Sequence, residues 1–416
     1  MQAVLVLSNQ MPLSFRCSRS DEIADTLRYI PGSSLSGGLA ASHSRLCPLR
    51  KEEFARFFTS GKIHFGNLYP ANFESKELDG DTLPVRSLPA TSRSCKRFSG
   101  FRFNADHDDE ERHGVSDHLI PWTLFALNNK TNTQVLEASE TCSYQIDNKN
   151  CGESITPFND GFYRHGYTPE AMGISKIPIR VLTRTGISRA RHAVSESILY
   201  NLEVLEENQK FQGTLHCEDE SLWDAFASFL ETASEQELIY LGNSRTRGLG
   251  KLRVTYKEKI DRDDEMPEQI KQRVITFSEK LKETARTYNL NAPHSLYIPV
   301  TLESEVILRD ALMRHQTAIT RVYLERKWGL SGMEPVCQFV TTRRVMGWNA
   351  LAKLPRADDV AMAMGSVFLF GYNGAADDRL WKILSDIQGQ GIGERREHGF
   401  GRVVIADSFH TEVNER

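Results

Sequence analysis

Gly242-Asn-Ser-Arg245-Thr-Arg247-Gly248-Leu-Gly250-Lys251-Leu-Arg253 and Gly393-Glu-Arg-Arg396-Glu-His398-Gly399-Phe-Gly401-Arg402 are two copies of one pattern. Superposed, Gly242, Gly248 and Gly250 fall on Gly393, Gly399 and Gly401, with Arg245 on Arg396, Arg247 on His398 and Lys251 on Arg402. The flanks repeat too. SLWDAFASFLET precedes the first copy, with Leu222, Phe226, Phe229 and Leu230 at helical spacing. DDRLWKILSDIQ precedes the second, with Leu380, Ile383, Leu384 and Ile387 similarly placed. Each helix follows a short apolar strand, near Phe211–Cys217 and Ser366–Tyr372, and each loop runs into another, KLRVTY and RVVIAD. A strand–helix–glycine loop–strand unit therefore occurs twice, and such duplication specifies architecture where one glycine cluster would not.

Units of this size are halves of split βαβ folds. The expectation is an α+β chain of two tandem ferredoxin-like (RRM-like) domains. The first spans 1–258 and carries an insertion at about 40–165 that is rich in Ser, Pro, Asn and acidic residues. A charged connector occupies 259–291, helical through Ile270, Val274, Phe277 and Leu281, and the second domain spans 292–416.

A length of 416 residues, 40% apolar and 25% charged, suits a chain with a sizeable buried core. The net charge of −4 excludes a uniformly basic nucleic-acid binder, so any RNA surface must come from clustered Arg and Lys. The opening MQAVLVLSNQ has no basic residue ahead of its apolar run and reads as a strand rather than a secretion signal. No stretch approaches about 18 uninterrupted apolar residues, so no membrane span is expected. Seven cysteines without a secretion signal imply reduced thiols and a cytoplasmic protein.

Glycines let the backbone take positive φ and approach a ligand closely, and neighbouring Arg side chains hold phosphate bidentately. Arg245, Arg247, Gly248, Gly250, Lys251 and Arg253, with no acid among them, are the better RNA candidates. At Arg396, His398, Gly399, Gly401 and Arg402 the charge is partly cancelled by Glu394 and Glu397. Nucleotide fingerprints fail in detail. Leu252 follows Gly250-Lys251, Arg245 stands where a Walker loop needs glycine, and Arg396 breaks the dinucleotide pattern.

Three further regions carry candidate contacts. Ser33, Ser34 and Ser36, in IPGSSLSGGLA, open a helix whose amides could grip a phosphate or simply be capped. Arg184, Arg189, Arg191 and His192 lie in an acid-free segment before SILYNLEVL, a basic hairpin or a solvated loop. Arg86, Arg93, Lys96, Arg97 and Arg102 are interleaved with Phe98, Phe101 and Phe103, which suits base stacking or a core. No cofactor is required by these motifs. Cys95, His113, Cys142 and Cys151 could form a structural zinc site, although the nine-residue step from Cys142 to Cys151 exceeds a usual knuckle.

IPGSSLSGGLA, GNSRTRGLGKLRV and GERREHGFGRVVI resemble the helix entry and glycine-rich loops of the RAMP superfamily of CRISPR-associated proteins. FGNLYPA, SCKRFSGF, HGVSDHL, GFYR and RTGISRARHAVSESILYNLEVL are similar to the large tandem-domain subunit of type III-D complexes. The resemblance implies a non-catalytic cap that holds the crRNA 5′ handle. Its implied partners are crRNA, target RNA, repeated backbone subunits and a large polymerase-like subunit, with no membrane. Relatives often carry a close cysteine pair where Cys142 and Cys151 fall. The alternative is a metal-independent endoribonuclease that processes crRNA with His43, or His192 and Tyr200, as acid–base groups. A third reading, target cleavage by Asp106 or Asp108 with a divalent ion, competes with a solvated acidic loop.

Overall fold

The computed structural model describes residues 1–17, 23–73, 83–102, 112–128, 133–146, 149–166, 172–187, 194–260, 266–349 and 354–413. Gln2–Asn9, with alternate residues Ala3, Leu5 and Leu7 on one face, is a central strand of the first sheet. The spatial order is Leu252–Ile260, Gln2–Asn9, Lys210–Cys217 and Ile63–Phe65, every pair antiparallel. Numbered along the chain this is 4-1-3-2, the order of a ferredoxin-like βαββαβ unit. The second sheet repeats it with Val403–Ile405, Leu296–Leu302, Val367–Tyr372 and Met333–Phe339.

The helices are placed by matched signals. Asp219 accepts from the Leu222 amide at 2.7 Å to cap Glu220–Glu235, and Asp377 accepts from the Leu380 amide at 3.0 Å to cap Asp378–Gln390. Each cap satisfies an amide the helix cannot pair internally. Beyond the caps, Leu222, Trp223, Phe226 and Leu230 are buried in the first core, and Leu380, Trp381, Leu384 and Ile387 in the second. The helix Gly32–Leu46 adds Leu35 and Leu39 to the first core.

Two features differ from the expectation. Residues 40–70, expected inside the insertion, hold the end of the Gly32–Leu46 helix, the helix Lys51–Phe58 and the edge strand Ile63–Phe65. The Met266–Thr287 helix is more than a connector. Ile270 and Val274 enter the second core, whereas Phe277 and Leu281 pack with Tyr297, Val367 and Leu369 on the sheet's other face. There they meet Leu119, Ile120 and Leu124 of the helix Leu119–Leu127, which belongs to the insertion. The insertion thus covers the second sheet and fastens the two domains together.

Buried polar contacts reinforce that junction. Tyr29 donates to Glu305 Oε1 at 2.7 Å, and Arg343 donates to the same oxygen at 2.9 Å. Arg86 pairs with Asp407 at 3.0 Å. His410 bridges Asp117 at 2.8 Å and Thr301 at 2.7 Å. Burial opposes the charge on His410, but Asp117 outweighs it and lifts the imidazole pKa above its ordinary value. Burial likewise opposes the Asp407 carboxylate, and Arg86 with His410 overcomes it, holding that pKa below normal.

Candidate nucleic-acid interface

The two glycine loops share one backbone. Ser244 and Arg395 take left-handed φ of 56° and 57°, and Gly248 and Gly399 follow at 78° and 90°. Leu241 N donates to Gly250 O at 2.8 Å, as Ile392 N does to Gly401 O. A Cβ on Gly250 would sit 2.5 Å from Leu241 O, and one on Gly401 would sit 2.0 Å from Ile392 O. Both positions therefore need glycine for the close approach as well as for φ.

What lies over the loops differs. A Cβ on Gly248 would meet nothing within 4 Å, and Arg245, Thr246, Arg247 and Gly248 are exposed. On Gly399 it would meet Asn67 Oδ1 at 2.7 Å and Phe65 O at 2.9 Å. The second loop is the joint between the domains: Arg402 reaches Thr214 Oγ1 at 3.1 Å, and Gly32 packs against His398 O and Gly399.

Charge follows the same division. Arg395 pairs with Asp359, Arg309 with Asp359 and Glu394, and Arg402 with Glu303 at 3.7 Å. Arg396 donates to Gln390 O at 3.3 Å. Burial, set against the nearby Glu397 carboxylate, leaves the His398 pKa lowered. Of the residues expected as RNA contacts here, His398, Gly399 and Arg402 meet the first domain at the joint, while Arg396 is bonded to Gln390 and Gly401 to Glu305 and Ile392 within the second domain. Among the described residues no ion pair engages Arg245, Arg247 or Arg253, whereas Lys251 is neutralised by Glu237 at 2.7 Å, contrary to the acid-free reading of that loop.

The basic segment does form a hairpin, Ile179–Ile187 against Val194–Leu205. Leu182, Leu202 and Val204 pack it onto Leu249 of the first loop. This brings Arg184 opposite Tyr200 in register, with Arg184 donating to Arg247 O at 3.2 Å and Arg247 donating to Tyr200 OH at 3.1 Å. Arg184 has no ion pair among the described residues, while Arg180 is held by Glu207 at 3.0 Å. Among the described residues the guanidiniums of Arg184, Arg245 and Arg247 thus have no ion pair beside an open glycine loop, whereas Arg253 lines a cleft with Glu235 and Glu237. Arg189, Arg191 and His192 lie outside the described residues, as do Phe103, Asp106 and Asp108.

The serine-rich turn is closed to a phosphate at its first amide. Gly32 N donates to Asn67 Oδ1 at 2.8 Å. Ser33 is exposed, Ser34 half-buried and Ser36 buried. Asn67, which both caps this helix and touches Gly399, is a site residue that loop spacing alone does not reveal. The candidate nuclease group His43 is wholly buried, bonded to Glu53 Oε1 at 2.8 Å and ringed by Phe54, Phe57, Phe58 and Phe229. It is presented to no substrate. The Arg/Phe cluster is largely structural: Phe101 is buried, Arg86 pairs with Asp407, and Arg93 donates to Ala90 O and Ser92 O.

Cys95, His113, Cys142 and Cys151 place their ligand atoms within 4.8 Å of one another. The nine-residue step is closed by a hairpin, Gln145–Ile146 against Lys149–Asn150, with Cys151 N donating to Tyr144 O at 2.7 Å. His43, Cys47 and Glu53 form a second, three-membered group.

No family model matches the chain, and no curated protein matches it. Among solved structures, it is similar to a chain of the type III-B Cmr-beta complex bound to cognate target RNA and AMPPnP. That similarity has 12% identity and a TM-score of 0.41 over 94% of this chain and 90% of that one. For the Csm3-Csm4 subcomplex of the type III-A CRISPR-Cas interference complex, identity is 13% and TM-score 0.36, covering 90% and 94%. For a Cas6 product complex they are 10% and 0.37, covering 97% and 98%. The ferredoxin-like assignment rests on the strand orders of the chain itself.

Proposed function

We propose that the chain is a non-catalytic RNA-binding subunit of a type III, III-D-like, CRISPR RNA-guided effector complex, and that it holds the crRNA 5′ handle. One observation carries this reading: the exposed first glycine loop and its hairpin present three guanidiniums, of Arg184, Arg245 and Arg247, without an ion pair among the described residues, in a chain of net charge −4. Arg forks beside an open left-handed backbone suit phosphate oxygens. Tyr200 lies beside them as a surface for an unpaired base. The motif resemblance supplies the setting, with crRNA as ligand and with backbone subunits, a polymerase-like subunit and target RNA as neighbours. The test is binding of handle RNA by the full chain and by Arg245→Ala/Arg247→Ala. Unchanged affinity and salt dependence in the double variant would end the proposal.

A second reading has its own observation. In the second domain the same loop receives a protein segment, the Pro31–Gly32 helix entry. On that reading the first loop receives a neighbouring subunit. Binding to a backbone subunit without RNA, lost in the double variant while handle binding persists, would favour it.

A further inference from the structure

We infer that Cys95, His113, Cys142 and Cys151 form a structural site for one zinc ion that clamps three separate stretches of the insertion. Zinc–thiolate bonds of about 2.3 Å give a tetrahedron with edges of about 3.8 Å. Four ligand atoms mutually within 4.8 Å, with His113 Nδ1 3.3 Å from Cys142 Sγ, are close to that arrangement. Cys95, His113 and Cys142 are buried and Cys151 is partly so. Three thiols and an imidazole converging from distant parts of the sequence are a soft, tetrahedral-type donor set. All four positions are filled by protein, which fits a structural ion rather than one that activates water.

The surroundings hold each ligand in place. Cys95 ends the strand Ser92–Cys95 and pairs in register with Ile155. His113 N donates to Phe98 O at 3.0 Å. Its ring is stacked on Tyr144 at 4.2 Å between centroids and flanked by Phe98 at 4.4 Å. Cys142 N donates to Glu153 O at 2.8 Å and Gly152 N donates to Cys142 O at 3.1 Å. The ligands therefore come from a strand end, a loop and both arms of a hairpin, each fixed by backbone bonds. Such support orients ligands before the metal arrives. This role is independent of the RNA surface on the first glycine loop.

The test is metal content of the full chain, purified under reducing conditions and loaded with zinc, together with the absorption spectrum after cobalt substitution. One zinc per chain and tetrahedral thiolate–cobalt bands are expected. Both should persist in Cys47→Ser, which alters the other cluster, and both should be lost in Cys142→Ser/Cys151→Ser. His113→Cys should keep the ion with a stronger thiolate band, a gain that a misfolded variant could not show. The inference is overturned if the reduced wild type binds no more metal than the double variant. It is also overturned if Cys47→Ser abolishes binding, or if the freshly purified chain carries a Cys142–Cys151 disulfide that accounts for the pair.

Discussion

Replacing Arg245 and Arg247 together by Ala tests the RNA surface most directly. Neither side chain has an ion pair among the described residues, and both are exposed, so the fold loses little when they are truncated. If each of the three guanidiniums of Arg184, Arg245 and Arg247 neutralises one phosphate of single-stranded RNA, log K falls against log salt with a slope of about −2.1. Raising salt from about 50 to about 200 mM then weakens wild-type binding roughly 18-fold. Removing two of the three contacts cuts the slope to about −0.7, and the same salt step costs roughly threefold. Fluorescence anisotropy with a labelled handle RNA over that salt range measures both. Arg321→Ala, which removes a cation paired with Glu325 at 2.7 Å, serves as control and should leave the slope unchanged. A double variant with the wild-type slope would refute the reasoning. A slope reduced equally by the control would show a general charge effect.

The two loops should also differ in what glycine does for them. Gly248→Ala meets no neighbour and costs about 1–2 kcal/mol of left-handed strain. Gly399→Ala adds contact with Asn67 and Phe65 and should lower the denaturation midpoint distinctly more, with added exposure of the domain joint to hydrogen exchange. Phe277→Ala, at the packing of the insertion helix on the second sheet, should cost about 3–5 kcal/mol in chemical unfolding. The buried His410–Asp117 pair predicts a pH dependence. Because the folded pKa of His410 is raised, its stabilisation is complete below about pH 6.5 and is lost as pH rises through the folded value. Melting temperature should fall over that window in the wild type and stay flatter in His410→Gln. Repeat RNA incubated with the pure chain in EDTA should remain intact, and product formation that vanishes in His192→Ala would overturn the non-catalytic reading.

The repeated glycine spacing determined the fold by local physics. Positive φ at Gly242, Gly248 and Gly250 and at their counterparts is a property of single residues, and helical periodicity before each loop is a property of neighbours. Strand order 4-1-3-2 in both sheets follows once those units are placed. The sequence also named four residues, Cys95, His113, Cys142 and Cys151, whose ligand atoms the fold gathers within 4.8 Å of one another, although it could not show how Cys142 reaches Cys151. That needed a hairpin whose pairing no spacing rule for a knuckle anticipates. Other features depend on tertiary contacts between separate elements of the chain. Nothing local distinguishes Gly248, under open space, from Gly399, covered by Asn67 and Phe65. Nothing local shows that Glu237 neutralises Lys251, or that aromatic rings close over His43. The acids Glu394 and Glu397 hinted that the loops had diverged, but only the docking of one domain on the other decided which of them faces outward. Chain-local conformation is written in residue types, whereas exposure is decided by what packs above, and at Gly399 that cover comes from Phe65 and Asn67 at the other end of the chain.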